Sequence, residues 1–286
     1  MIATGMNPFI NAQGYATTGM ISVVIGAIAN IVLDPLFIFM LNLGIRGAAI
    51  ATVLSQCLSA GFVLYFLSKK AESKVRLLYK EEIRTCGKDA KNIVSLGTAG
   101  FVMQLTNSLV SICCNNVLSA TGGDVYVSVM TIISSVRQMI ETPIWSISEG
   151  SSPVISYNYG AKRPKKVIEA WITMSVLALI YSLIAWSVIL FAPKFLIGIF
   201  SSDKSLMIDT VPAMKLYFSA FIFMLFQYTG QTMFKSLNKK KQAIFFSILR
   251  KVIIVVPMTY MFPYVFHMGS NGVFMAEPVS NVIGGS

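Results

Sequence analysis

An acidic residue lies deep inside an otherwise apolar segment of the chain. Asp34 follows a long run of Val, Ile and Ala, and Asn30 precedes it by one helical turn, so the two side chains share one helix face. Pro35 comes next and leaves a backbone carbonyl without its helical donor. Thr52 lies at a similar depth in the next apolar segment. Such a carboxylate, beside amide and hydroxyl oxygens, suits a proton or a small cation such as Na⁺; the alternative is a protonated Asp34 that packs two helices.

Polar residues recur at helical spacing in a later apolar segment, 93–118. They form one stripe, which consists of Gln104, Asn107, Ser108, Ser111 and Asn115. A polar stripe on an apolar helix either lines a cavity or bonds to a neighbouring helix, and both interpretations are open here.

Ionisable residues also lie in the apolar segments that follow. Arg137 and Glu141 are spaced to pair on one helix, either as a buried ion pair or as anchors near the membrane interface. Arg250 is expected to face the interior of a helix bundle. The single His267 falls in a predicted outer turn, so no metal site is expected beyond possible Na⁺ at Asp34. No nucleotide loop, zinc motif or Ser/His/Asp set is present, which argues against an enzyme and against a bound cofactor.

The composition requires membrane-spanning helices to position these residues. Hydrophobic residues make up 55% of the 286-residue chain, charged residues only 12%, and the mean hydropathy is +0.69. A soluble domain has about twice that charged fraction, so a cytosolic enzyme and a disordered chain are excluded. Runs of spanning length occur at 17–41, 46–67, 93–118, 125–147 (with a possible extension to 156), 168–192, 206–233 and 242–266. The sequence therefore predicts an all-α polytopic membrane protein with about seven full spans and part of another.

Basic residues alternate between the two ends of the predicted spans. Loops 68–92, 157–166 and 234–241 hold sixteen Lys and Arg, whereas the opposite turns hold three. Short loops rich in Lys and Arg lie in the cytoplasm, so we expect these three loops there and the protein in the plasma (cell inner) membrane. The same clustering explains the net charge of +11 without a nucleic-acid partner.

An internal repeat relates two parts of the chain. Residues 44–56 (GIRGAAIATVLSQ) match residues 269–281 (GSNGVFMAEPVSN) at five positions, of which four are identical and one pairs Gln56 with Asn281. Both hairpins start on the same predicted side, as in a parallel repeat. The repeat divides the chain into 1–67, the last hairpin of a first lobe; 68–92, a basic linker; and 93–286, a second lobe. The apolar stub at one end and the short final helix at the other predict a piece of a longer protein.

Three stretches resemble the multidrug and toxic compound extrusion (MATE) family of transporters. They are NPFINAQGYATTGMISVVIGAIANIVLDPLFIF with the following GIRGAAIATVLSQ, EGSSPVISYNYGAKRPKKV, and LNKKKQAIFFSILRKVIIVVP. The resemblance implies a two-lobe helix bundle, of which this chain lacks roughly the first four helices and the end of the last. It also implies that Asn30, Asp34 and Thr52 belong to a cation-linked network of the first lobe. The carboxylate that some members carry on helix seven is replaced here by Asn107.

The family resemblance implies a secondary active transporter. Its members export organic cations and other drugs in exchange for H⁺ or Na⁺, and we expect a monomer in the lipid bilayer with no cofactor. Sixteen Met and nineteen Phe supply soft apolar walls for varied amphipathic molecules. The alternative is a lipid-linked glycan flippase of the same superfamily, which needs several cavity-facing cations to hold pyrophosphate. The spans offer mainly Arg137 and Arg250 for that purpose.

Overall fold

A computed structural model describes residues 2–72, 87–201 and 203–285 of the chain. All regular secondary structure in these ranges is helical. The α-helices are α1 (Ile2–Ala12), α2 (Ala16–Pro35), α3 (Gly44–Tyr65), α4 (Gly87–Gly160), α5 (Pro164–Phe191), α6 (Pro193–Phe200), α7 (Lys204–Tyr217), α8 (Met224–Ser236), α9 (Lys240–Ile248), α10 (Val256–Tyr264) and α11 (Ser270–Gly285). Wider π-helical turns follow α2 (Leu36–Met40), α3 (Phe66–Lys70) and α9 (Leu249–Val255), and a 3₁₀ turn (Phe221–Phe223) precedes α8.

The chain divides into two units, which are described separately. Unit 1 is Met1–Gly87 and unit 2 is Lys88–Ser286. In unit 1, α2 packs on α3 where Gly26 meets Ser59, whose hydroxyl donates to the Ser22 carbonyl at 2.8 Å. Part of the predicted linker 68–92, including residues 73–86, lies outside the described residues.

Helices long and apolar enough to cross a membrane occur where the sequence predicts them. In the ranges that the structure describes, five qualify: Ala16–Met40, Gly44–Lys70, Gly100–Gly160, Pro164–Phe191 and Lys241–Tyr264. The third contains two predicted spans, because the chain breaks at Gly123, whose φ of 70° and ψ of −168° are not helical. Residues before the break (Val117) and after it (Ile133) share one buried core, so α4 consists of two packed arms. An all-α polytopic membrane protein is thus confirmed.

The predicted span 206–233 is not one continuous helix. It is a bent pair, Lys204–Tyr217 and Phe221–Ser236, with a 49° angle between the two parts. At the break, the carbonyl of Phe218 accepts a hydrogen bond of 3.1 Å from the Phe221 N–H and one of 2.9 Å from Trp186 Nε1, a donor on another helix. That donor makes a helix break tolerable inside an apolar core.

Outside the membrane, the Asp203 carboxylate caps α7 by accepting from the Ser205 hydroxyl and N–H, and these bonds lower the Asp203 pKa.

The hairpin turns of the internal repeat have the same backbone geometry. Asn42 and His267, 225 residues apart, both have positive φ (52° and 53°). Gly44 and Gly269, at the same offset, have φ of 53° and 57°. Positive φ is rare for residues other than glycine, so the coincidence at two positions supports the repeat inferred from the sequence.

The two hairpins also close through the same glycine contact. A Cβ on Gly47 would lie 2.6 Å from the Phe37 carbonyl oxygen, and one on Gly272 would lie 2.8 Å from the Phe262 carbonyl carbon. Each glycine therefore lets two helix backbones approach closely, as small residues do in membrane helices. The repeat places the two glycines, and the two phenylalanines, at equivalent positions.

Candidate functional site

Asp34, the acidic residue in the apolar segments of unit 1, lies near the end of α2 beside a π-helical turn. Asn30 Nδ2 donates to Asp34 Oδ1 at 3.2 Å, and both side chains are half-buried. Pro35 follows Asp34 and cannot donate a backbone hydrogen bond, and the chain continues as a π-helical turn from Leu36. Such turns are frequent at functional sites.

Thr52 does not join the pair formed by Asn30 and Asp34. Its hydroxyl donates to the Ala48 carbonyl of its own helix at 2.9 Å, and its side chain is exposed. Back-bonding of this kind satisfies a Thr hydroxyl locally. Within the described ranges, the structure thus unites two of the three residues predicted for the cation-linked site.

Unit 2 encloses a cavity of about 620 Å³. Six of the eight polar and charged residues singled out in this part of the chain line it: Gln104, Asn107, Ser111, Arg137, Glu141 and Arg250. The other two members of the polar stripe, Ser108 and Asn115, are absent from the wall. The two arms of α4, which meet at the break at Gly123, both line the cavity: the first carries the stripe and the second carries Arg137 and Glu141.

Glu277 of α11 is the centre of a buried ionic cluster on the cavity wall. Its Oε1 lies 2.6 Å from Arg250 Nη2, 3.1 Å from Arg137 Nη2 and 3.3 Å from Lys251 Nζ. The side chains of Arg250 and Glu277 are only 4% and 6% exposed. Arg250 and Lys251 are neighbours in the π-helical turn after α9, and both reach the same carboxylate oxygen.

A second carboxylate, that of Glu141, completes the cluster. It forms an ion pair with Arg137, one helical turn earlier on α4, and accepts a 2.8 Å hydrogen bond from the Tyr228 hydroxyl. Arg137 also donates to the Tyr217 hydroxyl, and its guanidinium lies 5.7 Å from the centre of that ring. Arg137 and Glu141 thus form a partly buried ion pair, with side chains 19% and 16% exposed.

The residues that hold Arg250 belong to the repeat. Arg250 Nε donates to Ser280 Oγ at 3.2 Å, and Nη2 also donates to Asn281 Oδ1. Both partners lie on α11, in the segment that matches 44–56 of unit 1. The matched segments thus pack equivalent hairpins, but among the described residues only the copy in unit 2 fixes a charged side chain.

Sequence reasoning left Glu277, Lys251 and the two tyrosines out of the candidate site. Two signals were present: Glu277 is ionisable in an apolar segment, and the repeat aligns it with Thr52. Lys251 gave a weaker signal, because a Lys near a helix end can extend its amine to the membrane surface. Among the described residues, no group of three or more His, Cys, Asp or Glu side chains is arranged to hold a metal ion.

Apolar spans around a charged internal cavity define an all-α membrane protein of the transporter class. Such a cavity isolates polar groups from lipid and gives them access to a solute. The MatE family model matches residues 100–261, more than half of the chain, and the protein belongs to this family of transporters.

Curated relatives match this chain at low identity. The chain is 26% identical over 254 residues to the multidrug export protein MepA of Staphylococcus saprophyticus, which covers 87% of this chain and 54% of that protein. It is 25% identical over 204 residues to MepA of Staphylococcus haemolyticus, covering 71% of this chain and 44% of that protein. The chain thus spans about half the length of the curated relatives it matches.

Solved structures agree with the fold. A MATE structure in complex with MaL6 superposes with a TM-score of 0.88 at 24% identity, covering 99% of this chain and 64% of that one. A MOP superfamily transporter from Pyrococcus furiosus, described as having a binding pocket of reverse polarity that suggests a different function, superposes with a TM-score of 0.89 at 25% identity. That match covers 98% of this chain and 62% of the other.

Proposed function

We propose that this chain is part of a secondary active transporter that exports cationic or amphipathic drugs by antiport with H⁺ or Na⁺. The curated relatives are multidrug export proteins, which favours drug export over the flippase alternative. The cavity of unit 2 is large enough for a drug-sized molecule and is lined by both polar and apolar side chains. The proposal extends to a monomer in the plasma membrane, with loops 157–166 and 234–241, and loop 68–92 between the units, in the cytoplasm.

The observation that carries the coupling proposal is the chemical contrast between Asp34 and the carboxylates of unit 2. In the described part of the chain, Asp34 has no basic side chain within ion-pair distance, and its recorded side-chain partner is the amide of Asn30. Glu141 and Glu277 are both paired with cations. A carboxylate at membrane depth without a cationic partner is available to bind a proton or Na⁺, so the coupling ion is assigned to Asp34.

The repeat supports the same assignment. At the offset of 225 residues, Val255 and Thr259 of unit 2 stand where Asn30 and Asp34 stand in unit 1. Thr259 donates to the Val255 carbonyl at 2.8 Å, so this position in unit 2 is closed by an internal hydrogen bond. The coupling carboxylate is thus a property of unit 1 alone.

Coupling then follows from a change of charge at Asp34. Binding of H⁺ or Na⁺ neutralises the carboxylate and removes the cost of a charge at membrane depth. The bound ion shifts the equilibrium between inward-facing and outward-facing states by its difference in affinity for the two. Pro35 and the π-helical turn beside Asp34 supply a weakly bonded segment where the helix can bend.

The test is ethidium efflux from membrane vesicles that carry the full-length transporter of which this chain is proposed to be part. A pH gradient and a Na⁺ gradient are imposed separately. We expect one gradient to stimulate efflux and Asp34→Asn to abolish the stimulation, because an amide cannot take up the ion. Asp124→Asn is the matched control, since Asp124 is an exposed acid. Stimulation that survives in Asp34→Asn would refute the site, and no response of the unsubstituted protein to either gradient would refute antiport.

A further inference from the structure

The ionic cluster of unit 2 contains more positive than negative charge. Arg137, Arg250 and Lys251 face two carboxylates, Glu141 and Glu277, which leaves one cation in excess. The five side chains are at most 19% exposed. A buried charge without compensation costs several kcal/mol. The cavity wall also contains Lys235, but Lys235 is paired with Glu149 and does not change the charge balance of the cluster.

Lys251 and Arg250 each have hydrogen-bond donors to spare. Within the described ranges, Lys251 Nζ has one partner, Glu277 Oε1 at 3.3 Å, although an ammonium carries three donors. Arg250 bonds through Nε and Nη2, and no hydrogen bond is recorded there for its Nη1. Both residues line the cavity. An anionic group placed between them would supply the missing charge and accept charge-assisted hydrogen bonds.

The rest of the wall suits the apolar body of such a ligand. Met103, Met130 and Trp145 line the same cavity as the cluster. Thioether and indole side chains adapt to varied apolar shapes. The cavity therefore combines an apolar wall with a cationic end.

We propose that the cavity of unit 2 binds amphipathic molecules through an acidic group, which Lys251 and Arg250 hold. Only the statement that such molecules are cargo rests on the proposed export function; binding itself is independent of any gradient. Within the proposed function, the inference assigns to this cavity the amphipathic drugs that carry a carboxylate or another acidic group beside an apolar body, and it assigns no site to the cationic drugs.

The experiment compares three fluorescent probes that share the dansyl group, two of which, the acid and the ester, also share the phenylalanine body. Dansylphenylalanine is an acid, its methyl ester is neutral and dansylcadaverine is a cation. Their equilibrium binding to the protein in nanodiscs of phosphatidylcholine is measured from the rise in dansyl emission, with empty nanodiscs subtracted. We expect the acid to bind roughly tenfold or more tightly than the ester, as one charge-assisted hydrogen bond implies. The cation should bind more weakly than the ester.

Substitutions assign the preference to the cluster. Lys251→Met removes the excess charge and should abolish the preference for the acid, whereas Lys251→Arg keeps the charge and should retain it. The matched control is Lys215→Met, since Lys215 is an exposed cation of α7 that does not line the cavity. These variants separate loss of charge from a general change in the net charge of the protein.

Each outcome decides the proposal. Equal binding of acid and ester by the unsubstituted protein would overturn it, and so would a preference for the acid that persists in a folded Lys251→Met variant. A preference that disappears when phosphatidylglycerol is added to the nanodiscs would support the anionic site and identify a lipid headgroup as its occupant. Because no gradient is applied, failure here leaves the antiport test intact, and failure of antiport leaves this result intact.

Discussion

Glu277→Gln is expected to be the most destabilising isosteric substitution in the ionic cluster. The amide has nearly the shape of the carboxylate, so the change creates no cavity. It removes the negative charge that Arg137, Arg250 and Lys251 share. Arg137 keeps its pair with Glu141, but Lys251 loses its only recorded ionic partner within the described ranges.

The magnitude follows from the burial of the cluster. Glu277 and Arg250 are 6% and 4% exposed, so water in the cavity can replace only a small part of the lost contacts. Removing one member of a buried ion pair costs about 3–5 kcal/mol. For a unit of this size, each kcal/mol lowers the melting temperature by about 2–4 °C, so a decrease of roughly 10 °C is expected.

The assay is thermal unfolding in detergent, and unfolding is detected by the reaction of the buried thiol of Cys114 with a maleimide dye. Cys114 is 4% exposed and lies in the core of unit 2, so its reaction reports unfolding of that unit. Adding Lys251→Met to Glu277→Gln returns the cluster to one excess cation and should recover part of the loss. Comparison with the Lys251→Met single variant then gives the coupling energy between the two residues.

The control breaks an ion pair that water already surrounds. Glu169→Gln removes the partner of Lys166, where both side chains are more than 60% exposed, and should leave the melting temperature unchanged. A Glu277→Gln melting temperature within about 2 °C of that control would refute the reasoning, since several kcal/mol could not then depend on this carboxylate.

Three further substitutions test the packing around the site by the same melting assay. Gly272→Ala places a methyl group 2.8 Å from the Phe262 backbone and should cost about 1–3 kcal/mol, whereas Gly198→Ala, with no atom within 4 Å, should be neutral or slightly stabilising; equal effects would refute the close approach. Gly123→Ala forces a side chain onto φ 70° and should cost about 1–3 kcal/mol, and a neutral result would show that the break in α4 does not need glycine. Tyr228→Phe removes a 2.8 Å hydrogen bond to a buried carboxylate and should cost about 1–3 kcal/mol; an unchanged melting temperature would show that the hydroxyl does not support the cluster.

The spans were predictable because each depends on a local property. A run of about 20 apolar residues forms a helix in lipid whatever its neighbours are, since the helix satisfies its own backbone. The turns at Asn42 and His267 follow from short-range sequence and were visible as a repeat. The break near Phe218 was not predictable from hydropathy, because it depends on a donor, Trp186, from another helix.

The candidate site was predictable in composition but not in arrangement. The spacing of Arg137 and Glu141 on one helix identified that pair directly. The contact between Arg137 and Glu277 joins positions far apart in the chain, so no local pattern encodes it. Thr52 shows the converse, because similar depth in two helices suggested a contact, whereas its hydroxyl bonds to its own backbone.

The sequence by itself determined the helical class, the positions of the apolar spans and the repeat. It also determined which polar residues lie within the apolar segments, because hydrophobicity and helical spacing are local properties. Only the tertiary structure decided which of these polar residues meet. Which residues meet depends on three features: the rotation of each helix about its axis, the break at Gly123, and the π-helical turn that carries Arg250 and Lys251. A small change in any of them would direct the same side chains elsewhere, so the charge of the cavity is a property of the fold.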